Sequence, residues 1–351
     1  MENRETPSTQ PPHGAAGTEY THSGPEPVPA YYGDPAAERV ALEEDAAVVD
    51  RSARTILRLS GRDPAGLLAA ILTNKVPTEE NRGVYGALLD QKGRVQTDLR
   101  VLKTGEDILA DAEPEGAAAA GKILGRYAPF SRVKVEDLSG SETRWTALGL
   151  YGPRAGELVE ALFGGAARLA EHETREVALG DGTLLLVGVS RPIPGYDLLG
   201  PEAAVSAARE MLVELGATLA GSEAYETARV EAAVPRFGSD ITPENFPGET
   251  GAVGNMVSFE KGCYPGQETV ARMHYRGQPN KRLHRLAVDG ERPEAGTQIL
   301  QNGKQAGRLT SVAPLPVGDT WLALGYLSRS TDLNLPLETA GQTVSPLPED
   351  T

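Results

Sequence analysis

The spacing of apolar positions changes along this chain. Ala46-Ala47-Val48-Val49 and Thr55-Ile56-Leu57-Arg58-Leu59 are short runs that predict strands. Asp63-Pro64 followed by Leu67, Leu68, Ile71 and Leu72 predicts a capped helix with proline in its first turn. Val84 to Leu89, the turn Asp90-Gln91-Lys92-Gly93 and Val95 to Val101 predict a β-hairpin in which Gly93 supplies positive φ. Alternation in its second strand sets Val95, Thr97, Leu99 and Val101 on one face and Gln96, Asp98 and Arg100 on the other. Helical spacing returns at 153–169, 201–215 and 222–233, between strands near 145–151 and 184–189. Beyond Arg282 only short strands and turns follow, at 283–288, 298–300, 305–312 and 320–327. The pattern predicts an α+β body followed by a small all-β module, with a boundary near residue 280.

Residues 1–38 are rich in proline and glycine and poor in aliphatic side chains, so they are expected to form a disordered tail. The expected organisation is a body over 39–280, a β module over 281–340 and a flexible tail over 341–351. With 351 residues there is ample apolar surface for a core, and no staple is needed. The single cysteine, Cys263, excludes an internal disulfide and a self-contained cysteine-ligated cluster or zinc site. A net charge of -15 repels nucleic acid and anionic membranes, so either partner would need a local basic patch. No apolar run reaches the ~20 residues of a membrane span, and Glu2 and Glu5 are unlike a signal peptide. The expectation is a cytoplasmic protein with no membrane partner and no direct nucleic-acid contact.

The most distinctive run is Val257-Ser258-Phe259-Glu260-Lys261-Gly262-Cys263-Tyr264-Pro265-Gly266-Gln267-Glu268-Thr269-Val270-Ala271-Arg272. Cys263 precedes a predicted helix start, where the helix dipole and Lys261 would favour a thiolate. Burial as a small hydrophobe is the alternative. Gly262 and Gly266 would let the backbone turn closely around the cysteine, while Gln267 and Glu268 would cap the helix or bind a ligand. Arg272, His274, Arg276, Lys281, Arg282, His284 and Arg285 concentrate positive charge, either for an anionic ligand or acidic partner or as a solvated face.

This run resembles the Lys-Gly-Cys-Tyr-x-Gly-Gln-Glu signature of YgfZ proteins, relatives of the glycine-cleavage T-protein. Other segments are similar to the wider T-protein family, among them Leu72-Thr73-Asn74, the Tyr85 to Asp98 hairpin, Leu148 to Ala155, Gly195-Tyr196-Asp197-Leu198 and Ala228-Arg229-Val230-Glu231-Ala232-Ala233. The resemblance implies an α+β fold of ferredoxin-like halves with a C-terminal β-barrel around a cavity for tetrahydrofolate. It implies catalytic roles for Cys263 and Asp98, with Asp98 near the folate nitrogen that accepts the one-carbon unit. Tyr85, Arg229 and Glu231, with Lys261, Gly262, Gly266, Gln267, Glu268 and Arg272, are the implied cofactor contacts. The implied function is a folate-binding accessory factor serving iron-sulfur client or assembly proteins; the alternative is a folate-dependent aminomethyltransferase. Against that alternative, the T-protein's Thr-Gly-Glu-Asp-Gly stretch is replaced here by Arg191-Pro192-Ile193-Pro194-Gly195, and its acidic pair by Thr97-Asp98.

Overall fold

The computed structural model describes residues 19–21, 27–140, 144–165 and 168–348. Two sheets form the body. In the first, the hairpin Gly83–Leu89 and Val95–Thr104 continues through Asp107–Ala112 and Thr55–Gly61 to Val133–Asp137, all antiparallel. Helices Pro64–Ile71 and Pro114–Ser131 cover one face, burying Leu59, Leu67, Leu68, Ile71, Leu99 and Leu124 together. The first of these helices starts as its sequence directs: Pro64 occupies the opening turn, and the Asp63 carboxylate accepts from the Gly66 amide at 2.8 Å.

The second sheet has six strands, in the order Thr174–Leu179, Gly182–Val189, Gly195–Pro201, Trp145–Tyr151, Ala47–Asp50 and Thr218–Ala220. Its pairs are antiparallel except the last, and helices Ala155–Phe163 and Glu202–Glu214 pack on it. The two sheets meet through Ile56, Leu102, Leu109, Leu185, Val187 and Leu199. Beyond the body, strands from Lys281–Asp289 to Gln342–Pro346 close a six-stranded barrel around Leu286, Val288, Ile299, Leu309 and Leu337. Leu283, Leu322, Leu324 and Tyr326 pack outward from the barrel with Val230 of helix Ser222–Glu231. The fold is thus the expected α+β body with a C-terminal β-barrel.

Two of the expected boundaries need correction. Inside the supposed tail 1–38, Val28–Tyr31 is a strand with Val28 and Ala30 buried, and Pro35 opens helix Pro35–Glu44. The Glu38 carboxylate is buried and accepts amide hydrogens from Tyr32 at 2.7 Å, Gly33 at 2.9 Å and Gly221 at 2.8 Å. A few apolar side chains and one shared carboxylate therefore anchor a segment whose proline content alone suggested disorder. Residues 1–18 and 22–26 of that tail lie outside the described residues. At the other end, Gln342–Pro346 pairs with Leu337–Thr339 and with Leu286 to Val288, so part of the expected flexible tail 341–351 closes the barrel. Among the described residues, no helix is long and apolar enough to cross a membrane.

Candidate functional site

A cavity of about 450 Å³ lies where the two sheets and helix Ser222–Glu231 converge. Hairpin register sets Tyr85 opposite Arg100 and Ala87 opposite Asp98, and Tyr85, Asp98 and Arg100 all line the cavity. The Tyr85 hydroxyl donates to Asp98 Oδ2 at 2.7 Å. Asp98 is buried and has no ion-pair partner among the described residues. Burial raises its carboxyl pKa to about 6; the Tyr85 hydrogen bond and the Arg54 charge pull the other way, and Glu113 adds to the rise. Tyr85, buried beside that carboxyl, is held well above the usual phenol range.

The cavity floor is an ion-pair chain. Arg100 donates through Nε to Asp111 Oδ2 at 2.8 Å, and its Nη1 lies 2.6 Å from Asp197 Oδ2. Arg54 Nε donates to Asp111 Oδ1 at 2.5 Å and its Nη1 pairs with Glu113, while Arg51 sits 3.6 Å from the same carboxylate and over the Tyr225 ring. Tyr151 donates to Asp197 Oδ1 at 2.5 Å and stacks on Tyr225. Burial alone would raise Asp111, but Arg100 and Arg54 outweigh it and hold that carboxyl at about 2. Three arginines are thus matched by Asp111, Glu113 and Asp197, leaving Asp98 as a proton-exchanging carboxyl near neutral pH. His172 completes the lining, with its pKa lowered to about 4 by burial and by the Arg100 charge.

Only some of the residues expected at the site meet in this cavity. Tyr85, Asp98 and Arg229 line it. Arg229, however, is fully engaged: Nε donates to Glu226 at 2.9 Å, Nη1 to Asp240 at 2.8 Å and to the Val234 carbonyl at 2.7 Å, and Nη2 to the Ser311 hydroxyl at 2.9 Å. Because Asp240 also accepts from Thr310 at 2.6 Å and Ser311 at 2.8 Å, Arg229 braces the body against the barrel. Glu231 points elsewhere, pairing with Arg39 at 2.9 Å.

The signature segment lies outside this lining, on the far side of the hairpin turn. Gly266 takes φ 79° against that turn, where an added Cβ would stand 2.6 Å from the Asp90 carbonyl oxygen, so this glycine is sterically required. Gly262 has no such neighbour. Cys263 is exposed, which removes the buried alternative. Lys261 turns toward helix Pro64–Ile71, donating to the carbonyls of Ala69 at 2.8 Å and Leu72, and burial lowers its pKa to about 8. Gln267, Glu268 and Arg272 lie on helix Gln267–Arg276, whose N-cap is Gly266, and neither the Gln267 nor the Glu268 side chain makes a capping hydrogen bond among the described residues. Phe259, in the same segment, stacks on His274 with ring centroids 3.7 Å apart.

Arg51, Arg54, Asp111, Glu113, Tyr151, Asp197 and Tyr225 escaped the sequence reading as site residues. Their pairings span large sequence separations and leave no local spacing to recognise. The available clue was an arginine or aspartate breaking an otherwise apolar strand, as Arg100 does between Leu99 and Val101, and Asp197 does before Leu198.

The fold is an α+β body of two sheets with a closed C-terminal β-barrel, and a charged cavity lies between the sheets and helix Ser222–Glu231. The chain belongs to the family described as GCVT N-terminal domain, whose model matches residues 11–261. Its relatives include the tRNA-modifying protein YgfZ of Yersinia enterocolitica, 28% identical over 76% of this chain and 80% of the relative. The aminomethyltransferase of Thermus thermophilus is 28% identical over 92% of each chain. Among solved structures, the glycine cleavage system aminomethyltransferase T from Bartonella henselae shares the fold, with a TM-score of 0.83 over 95% of this chain and 93% of that one at 19% identity.

Proposed function

We propose that this chain binds tetrahydrofolate in the central cavity and acts as an accessory factor for iron-sulfur cluster assembly or repair, with Cys263 at its working surface. The observation that carries the folate half is the Tyr85–Asp98 pair, a buried carboxyl near 6 facing a cavity within the size range of small-molecule sites. Such a cavity fits a heterocycle bearing N–H groups: Asp98 accepts from them when ionised, and the flat Tyr85 and Tyr225 rings lie alongside. Arg51 and Arg54, balanced by Glu113, hold the charge of the floor fixed and leave Asp98 as the group that exchanges a proton. Bound there, tetrahydrofolate would supply a carrier nitrogen for a one-carbon unit.

Support for an accessory role over aminomethyl transfer comes from Arg191 and Pro192. They line the cavity where the T-protein pattern calls for a glutamate, and Arg191 spends a donor on the Ala232 carbonyl. The signature segment also presents Cys263 to solvent, locked onto the hairpin that carries Asp98. In this reading partners meet the thiol outside the cavity, in the cytoplasm.

The test pairs two readouts for Cys263→Ser, the melting temperature of the purified protein and the activity of iron-sulfur enzymes in cells lacking the wild-type gene. An exposed serine should leave the melting temperature within about 1 °C, since surface changes stay within ±0.5 kcal/mol. Client activity should fall to the level of the deletion. Full client activity in a stable variant would contradict the proposed role of Cys263.

A further inference from the structure

A second cleft of about 390 Å³ opens between helix Gln267–Arg276, the 3-10 turn Pro247–Glu249 and the edge of the barrel. Its apolar lining includes Phe246, Val270, Met273, Leu327 and Leu333, and its polar lining Lys281, Arg282, His284 and Arg329. No carboxylate lines it, although the chain has 49 acidic residues against 34 lysines and arginines. The local charge is therefore opposite to that of the molecule, which meets the condition for an anionic ligand despite the repulsive global field.

Two features narrow the ligand. Lys281 and Arg329 are brought together by the barrel: Lys281 registers with Ser328, and the Arg329 amide donates to the Asn280 carbonyl at 2.8 Å. Neither side chain forms an ion pair among the described residues; Lys281 Nζ lies over the Tyr326 ring, 4.7 Å from its centroid, and no carboxylate neutralises either charge there. Also in the lining, half-buried Phe259 and exposed His274 stack with 17° between their planes. An aromatic pair and unneutralised cations lining one partly apolar cleft match a ligand with an aromatic ring at one end and a compact anion at the other. An extended acidic peptide would use the cations but leave the rings and the apolar lining without a partner.

We propose that this cleft is a second binding site, separate from the central cavity, for a nucleoside phosphate. Its base would lie against the Phe259–His274 pair and its phosphates against Lys281 and Arg329. The site stands independently of the folate reading, because the two lining sets share no residue.

The experiment is calorimetric titration of the full chain with ADP, with pyrophosphate and octaglutamate as comparison probes. ADP should bind saturably below about 1 mM, and tetrahydrofolate should not displace it. Lys281→Ala with Arg329→Ala should weaken ADP at least ~10-fold, since each removes a charge-assisted contact. His274→Ala should weaken ADP several-fold and leave pyrophosphate unchanged. His274 and Arg329 are exposed and Lys281 is half-buried, and unaltered melting temperatures show that the cleft is intact. Pyrophosphate binding as tightly as ADP would overturn the base-stacking half. Octaglutamate binding that depends on Lys281 and Arg329 while ADP does not bind would overturn the proposal in favour of an acidic protein partner. No ADP binding at 1 mM would overturn it outright.

Discussion

Tyr85 and Asp98 sit on neighbouring strands of one hairpin, and the 2.7 Å hydrogen bond from the phenol to Oδ2 is the only partner the Asp98 carboxylate has from another side chain among the described residues. An otherwise unpaired buried carboxyl beside three charge-balanced arginines is the group whose protonation state can change without disrupting the fold.

Asp98→Asn should therefore alter pH dependence more than stability. The carboxyl rises from an ordinary value of 3.8 to about 6 on folding, so it contributes stability fully below 3.8 and loses it as pH rises through about 6. The two-unit shift corresponds to about 3 kcal/mol. Chemical denaturation at several pH values should show the wild-type protein losing stability relative to Asp98→Asn between about pH 4 and 6, with the variant at least as stable at pH 7. Ligand affinity should rise through about pH 6 in the wild type, as the carboxylate becomes an acceptor, and stay flat in the variant.

Arg229→Ala should cost about 3–5 kcal/mol, because it leaves Asp240 buried without its cation and removes the strut to Ser311. Denaturant unfolding would register the loss, and cleavage between body and barrel under limited proteolysis should accelerate. An effect confined to ligand affinity would return Arg229 to the role of ligand clamp.

Removal of residues 1–33 should destabilise the protein by about 2–4 kcal/mol, since it exposes the surface that Val28 and Ala30 cover and strips two amide donors from buried Glu38. A melting temperature equal to that of the full chain would show that this strand contributes nothing.

What the sequence disclosed depended on how local each signal was. The hairpin was legible because Asp90 to Gly93 and the alternation around Asp98 are contiguous, and the observed register Ala87–Asp98 follows from them. The strands of the barrel were legible for the same reason, up to Thr320–Ser328. Its last two strands were not, because Leu337–Thr339 is three residues long and Gln342–Pro346 carries a single buried valine. The site was half legible. Asp98 and Tyr85 came from the hairpin, whereas the Arg54–Asp111–Arg100–Asp197 chain joins four separate strands or strand ends and exists only after both sheets pack. The motif around Cys263 was plain in the sequence, but its position was not. It packs on the outside of the hairpin turn, and Lys261 is spent on the end of helix Pro64–Ile71.

The most direct measurement is calorimetric titration of the purified full-length protein with tetrahydrofolate at pH 7, with melting temperature followed in parallel. One-site binding is expected, with a melting temperature that climbs with ligand concentration, by about 2.7 kcal/mol of added stability at 100 times Kd. Asp98→Asn should weaken it by about ten-fold or more, the loss of one charge-assisted hydrogen bond. No heat of binding and no thermal shift at millimolar tetrahydrofolate would contradict the assignment of the central cavity.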